Sequence, residues 1–152
     1  MNYWLMKSEP ETFGIDDLKK RPKQTEPWDG VRNYQARNML RDRMKVGDQA
    51  FFYHSNCEVP AIVGIMEIVK AGYPDTSAFD PSDLHFDPKS DPENPRWYRV
   101  DVRFVRQFKH IITLAELKSH RALAELPLVQ RGSRLSVVPV TSQQWRFILS
   151  LE

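Results

Sequence analysis

Hydrophobic and polar positions along this 152-residue chain alternate in short runs more often than they recur at helical spacing. Segments 2–8 (NYWLMKS), 48–55 (DQAFFYHS), 61–69 (AIVGIMEIV), 96–105 (RWYRVDVRFV) and 135–140 (LSVVPV) are rich in β-branched and aromatic residues. They predict five strands. In the fourth, Tyr98, Val100, Val102 and Phe104 share one face, with Arg99, Asp101 and Arg103 on the other. Helical spacing is confined to shorter pieces. Residues 14–20 place Asp16 and Asp17 early and lysines late, as the helix dipole prefers. Residues 33–45 put Ala36, Leu40 and Met44 on one face. Thr113 with Glu116, and Thr141 with Gln144, read as capping boxes. The last helix then buries Trp145, Ile148 and Leu149. Strands come first and last, with short helices between them and neither a βαβ repetition nor an internal repeat. The expectation is a single α+β domain over 1–152, built as a curved or barrel-like mixed sheet with short flanking helices.

Composition changes this picture little. Hydrophobic content of 41% and charged content of 28% are ordinary for a globular chain. A single cysteine, Cys57, excludes an intrachain disulfide and fits a reducing compartment. The first ten residues lack a basic n-region, and no run approaches a membrane span. The expected setting is cytoplasmic, with no membrane partner and no clear dimer face, so a monomer or weak homodimer.

Charge is informative once it is divided. The net charge is +2, yet segment 73–95 holds five prolines and six carboxylates against Lys89 alone. A basic body therefore carries an acidic flap. So long a Pro/Asp loop inside a compact domain is either functional or mobile.

The candidate chemistry lies around WDGVRNYQARN, residues 28–38. Asp29-Gly30 is a turn signal, and Trp28, Arg32, Asn33 and Arg37 crowd its rim. On a helix over 33–45, Arg37, Arg41 and Lys45 form one row, joined by Arg32 and Arg43. Such a stripe can contact phosphates or simply be a solvated face. Trp145 belongs to an amphipathic helix and Trp4 to a buried edge strand. That leaves Trp28 and Trp97 as stacking candidates, or as plugs of a barrel end. Asn33 stands where a helix N-cap belongs. Ser8 and Ser55 end two strands, so the three polar groups could line a pocket for a flat heterocycle.

Catalytic and metal readings are weaker. His54 and Cys57 lie on opposite faces if their strand continues, and no third orienting residue is legible. His85, His110 and His120 are scattered singly, and the glycines form no phosphate loop. No metal or cofactor is expected.

In order and spacing, YWLMKSEP (3–10), WDGVRNYQARN (28–38), MKVGDQAFFYHSN (44–56), VGIMEIVKAGYPD (63–75), PRWYRVDV (95–102) and RLSVVPVT (134–141) resemble the EVE-domain family. The likeness covers essentially the whole chain. It implies a PUA-like fold, a mixed β pseudo-barrel with flanking helices. It also implies a non-catalytic reader of a modified base, methylated or hydroxymethylated, in DNA rather than RNA. Carried onto this sequence, the base pocket would involve Ser8, Trp28, Asn33, Tyr53, His54, Ser55 and Trp97. Arg32, Arg37 and Arg41 would hold the flanking phosphates. Two alternatives stay open: a PUA-like hydrolase using His54 and Cys57, and a binder of a small metabolite.

Overall fold

The computed structural model describes all residues, 1–152. The six strands β1 (Tyr3–Ser8), β2 (Thr25–Trp28), β3 (Gln49–His54), β4 (Ala61–Pro74), β5 (Tyr98–Thr113) and β6 (Val137–Val140) form one mixed sheet. Their order across it is β2-β5-β4-β3-β1-β6. Only β1 and β3 run parallel, which sets Ser8 opposite His54. The edge strands β2 and β6 do not pair, so hydrogen bonding leaves the sheet open. β1 stands one place in from that edge, and Trp4 therefore lies on an interior strand rather than on the edge expected from sequence.

The sheet nevertheless curls hard. In a flat sheet, three spacings of about 4.8 Å would part β2 from β3 by roughly 14 Å. The Trp28 ring on β2 instead stands 5.3 Å from the Phe52 ring on β3. Register shifts along β4 supply the bend, four of them against β5. At one of these, Gly64, a Cβ would stand 2.5 Å from the Arg106 carbonyl oxygen. Only a bare Cα lets the two strands close there.

Strand alternation sorts the core onto two faces. Trp4, Met6 and Phe52 pack inside the curl with Trp28 and with Ile15 and Leu18. Those last two come from α2 (Ile15–Lys20), which follows the one-turn helix α1 (Pro10–Phe13). Leu5, Phe51 and Tyr53 point the other way. They lie under α4 (Leu114–Lys118) and α5 (Ser142–Leu151), where Trp145 stacks on Phe51 at 3.9 Å. Thr141 and Gln144 form the expected capping box. Thr113 accepts from the Glu116 N–H without a reciprocal bond from the Glu116 side chain, so the first box is only a single cap.

The helix expected over 33–45 ends sooner. It is helical over α3 (Tyr34–Asn38), then widens into a π turn over Met39–Arg43. Lys45 lies outside it, so the row of Arg37, Arg41 and Lys45 does not form. Gly72 of β4 lies directly beneath, where a Cβ would meet the Leu40 carbonyl oxygen at 2.5 Å.

Segment 73–95 is ordered by its own composition. Asp75, Asp80, Asp83, Asp87 and Asp91 each accept a hydrogen bond from the backbone N–H two residues ahead. Five such Asx turns, interleaved with prolines, fold the segment locally. Its aspartates are turn formers first and charges second.

Candidate nucleic-acid interface

Parallel pairing places the C-terminal ends of β1 and β3 at the same edge, where the Ser55 N–H donates to the Ser8 carbonyl oxygen at 2.9 Å. The curl brings the end of β2 and the turn after it to face them. Between the two lies a cavity of about 740 Å³, within the range of small-ligand sites. Phe13 and Trp28 meet edge to face at 6.4 Å along its apolar side. Ser8, Ser55, Asn33 and Ser136 supply polar groups, and Leu84 and His85 from the Pro/Asp segment close one wall.

That wall is fastened to the turn. Arg32 donates to the His85 carbonyl oxygen at 2.6 Å and to Asp75 Oδ2 at 3.0 Å. Asp75 is 0% exposed and also accepts from the Gly30 N–H at 2.9 Å. Burial alone would raise the Asp75 carboxyl. Hydrogen bonds from Ser77, Gly30 and Arg32, with the Arg32 charge, outweigh it and hold that carboxyl below the usual range. Gly30 has φ +79°, and a Cβ there would meet the His85 ring at 2.6 Å. The turn needs glycine twice over, for its backbone and for the ring pressed on it.

Three carboxylates line the same cavity, Glu9, Glu26 and Asp29. Glu26 pairs with Arg21 at 2.9 Å. Asp29 has Arg99 3.9 Å away, and partial burial, then the charge of Asp75, raise its carboxyl above the ordinary value. The site thus offers carboxylate acceptors, hydroxyls and an amide beside an aromatic side.

The structure gathers four of the seven base-pocket candidates here: Ser8, Trp28, Asn33 and Ser55. Ser8 donates its hydroxyl to the Phe13 carbonyl oxygen at 2.6 Å, so toward a ligand its oxygen can only accept. Asn33 does cap its helix, its Oδ1 accepting from the Ala36 N–H at 3.0 Å. Its Nδ2 makes no protein hydrogen bond. Trp28 is only 7% exposed, held in perpendicular contacts with Phe13 and Phe52, which leaves too little of its face for a stacking platform.

The other three lie elsewhere. Tyr53 lines a neighbouring cavity, and burial pushes its hydroxyl up to about 12. His54 turns away, its Nε2 accepting from the Ile15 N–H at 3.2 Å. Trp97 is 6% exposed, stacked on Tyr34 at 4.9 Å, with its indole N–H donated to Asp87 at 2.7 Å. It staples the Pro/Asp segment to α3 and presents no free face.

The arginine candidates are also engaged. Arg32 holds the wall. Arg37 donates to the Arg96 carbonyl oxygen at 2.7 Å, and Arg41 grips Asp42 at 2.8 Å. Neither Arg37 nor Arg41 lines either cavity. Sequence reasoning missed Glu26, Asp29, Leu84, His85 and Ser136. The first lies on a four-residue edge strand broken by Pro27, and the loop pair comes from a segment with no periodicity.

A His54–Cys57 pair has no support in this geometry. Burial lowers the His54 imidazole below its ordinary value, its Nε2 lone pair is taken, and the two side chains make no hydrogen bond. No three His, Cys, Asp or Glu side chains cluster as metal ligands do.

Comparison with known proteins agrees with this architecture. Thymocyte nuclear protein 1 of Mus musculus is 54% identical over 99% of this chain and 74% of its own length. A crystal structure of a Pseudomonas syringae protein superposes with a TM-score of 0.94 at 53% identity, covering 98% of both chains. The human THYN1 protein, solved in complex with 5-methylcytosine containing DNA, gives a TM-score of 0.91 at 51% identity, covering 99% of this chain and 97% of that one. The EVE domain model matches residues 2–151, and the chain belongs to the EVE domain family.

Proposed function

We propose that this chain is a non-catalytic module that reads 5-methylcytosine or a similarly modified base in DNA, held in the cavity between the β1–β3 edge and the Asp29-Gly30 turn. One observation carries the reading. A cavity with an aromatic side, an unpaired amide and three carboxylates occurs in a chain 51% identical to a protein solved with 5-methylcytosine containing DNA. Cytosine offers an exocyclic amine as donor and ring acceptors beside it. Asp29 or Glu26 suits the amine, and the Asn33 amide suits an acceptor. Trp28 and Phe13 give a methyl group apolar contact.

Magnitudes limit the claim. Burying one methyl contributes about 0.8 kcal/mol, roughly fourfold in affinity. Extruding a base from a duplex costs a few kcal/mol, so single-stranded or already unpaired bases bind better. Hydrolysis at His54 is the weaker reading, since that imidazole is already committed to the Ile15 N–H. Cys57 suits a reducing compartment, the cytoplasm in our reading, whereas the vertebrate relatives are named nuclear proteins. No helix is long and apolar enough to cross a membrane.

Nitrogen-15 NMR tests the location. Adding a short oligonucleotide with one 5-methylcytosine should shift the Asn33 side-chain amide and the Gly30 N–H. Shifts confined to other surfaces would move the site.

A further inference from the structure

A second cavity, about 860 Å³, opens beside the first and shares Lys7 and Ser55 with it. Its charged lining is of one sign. Lys7, Lys118, Arg121 and Arg131 face it, and no carboxylate does. None of the four cations is in an ion pair or a side-chain hydrogen bond, although Arg21, Arg32, Arg41, Arg96, Arg99, Arg103 and Arg106 all have carboxylate partners. Lys118 ends α4, Arg121 lies in the turn after it, and Arg131 precedes the Gly132 turn. Three separate stretches thus deliver unpaired cations to one hollow.

Lys7 is the telling member. It is half-buried on β1, and that burial lowers its ammonium below the ordinary lysine range. A desolvated ammonium with no counter-ion is costly, and an arriving anion relieves that cost. Neutral donors surround the same hollow: the hydroxyls of Ser55 and Ser133 and the second N–H of the Asn56 amide, which gives its first to Glu9 at 3.1 Å. Charged and neutral donors together are what positions a phosphodiester.

The opposite side of the base cavity is unsuited to a backbone. There the wall residues Leu84 and His85 belong to a segment with six carboxylates against Lys89 alone, and Asp83 stands 3.6 Å from the His85 ring, so a phosphate would meet like charge.

We propose that the second cavity is the phosphate track of the DNA strand: it takes the sugar–phosphate backbone flanking the read base, and Lys7 marks the pivot between backbone and base. The inference rests on the base-reading role of the first cavity. It moves the electrostatic contact away from Arg37 and Arg41 to residues that no sequence row connects.

The test is the salt dependence of binding to a single-stranded octamer carrying one 5-methylcytosine, compared with its unmethylated twin. The triple variant Lys118→Gln, Arg121→Gln, Arg131→Gln changes only exposed side chains, and its melting temperature serves as the fold check. Each lost phosphate contact on a single strand removes about 0.7 from the slope of log K against log salt. The triple variant should flatten that slope by about 2 and keep the methylated-to-plain affinity ratio. The variant Arg37→Gln, Arg41→Gln should leave the slope unchanged. A triple variant with the parent's slope overturns the track, whatever the ratio. A flattened slope in a protein without methyl preference keeps the track and removes the base-reading role instead.

Discussion

The Arg32 guanidinium donates to the carbonyl oxygen of His85 at 2.6 Å, across 53 residues of sequence, and so joins the turn that opens the base cavity to the segment that walls it. The same guanidinium neutralises Asp75, which is wholly buried. An arginine that sequence alone assigns to phosphates is therefore a structural clamp. Arg32→Gln should destabilise the fold by about 3 kcal/mol, the low end for breaking a buried pair, because Arg32 keeps part of its side chain in water. Urea unfolding reads this directly. A loss below about 1 kcal/mol would mean that the pair behaves as a surface ion pair.

The two tryptophans that sequence reasoning leaves outside the core have different work. Trp97→Phe loses the indole bond to Asp87 but touches nothing in the cavity. It should cost about 1–3 kcal/mol of stability and leave oligonucleotide affinity unchanged. Trp28→Phe keeps most of the core contact with Phe52 and alters the cavity edge, so affinity should fall while the fold persists. The opposite assignment in a paired titration would place the base against Trp97.

Asn33 does two jobs through two atoms. Its Oδ1 caps α3, and its Nδ2 is free to donate. Asn33→Ala removes both, at about 1 kcal/mol of stability. Asn33→Asp keeps the cap and loses the donor. The aspartate variant should melt like the parent yet bind the modified oligonucleotide more weakly. Parental affinity would make Asn33 a cap alone.

His54 gives the fold a pH dependence. Its pKa is lowered by burial, so the folded state favours the neutral ring that accepts from the Ile15 N–H. The unfolded chain then binds a proton more readily. The stability contributed by this histidine is present above about pH 6.5, the unfolded value, and is lost as pH falls toward the folded value. Melting temperatures recorded between pH 8 and pH 5 should drop more for the parent than for His54→Gln. Parallel curves would show that the ring stays accessible and unpaired.

How legible the molecule is from sequence varies by element. β5 announces itself through the alternation of Tyr98, Val100, Val102 and Phe104 against charged neighbours, although its continuation to Thr113 is hidden by the register shifts opposite β4. α5 is legible because Thr141 and Gln144 spell its cap. β2 is not, because four residues containing Pro27 carry no alternation and the strand exists only by pairing with β5. The cationic row of Arg37, Arg41 and Lys45 assumes 3.6 residues per turn, and the π turn at Met39–Arg43 breaks that assumption. Ser8, Ser55, Trp28 and Asn33 share a cavity because the sheet curls, a property of bulges rather than of any local motif. Trp97 lies one residue before β5 begins, where strand alternation no longer says which way a side chain points.

The account turns on whether the cavity between Ser8, Trp28, Asn33 and the Pro/Asp wall distinguishes a methylated base. The direct measurement is a pair of titrations with single-stranded oligonucleotides identical except for one 5-methylcytosine in place of cytosine. The methylated strand should bind at least about fourfold more tightly, the worth of one buried methyl, and Asn33→Asp should weaken both. Equal affinities for the two strands would contradict the account.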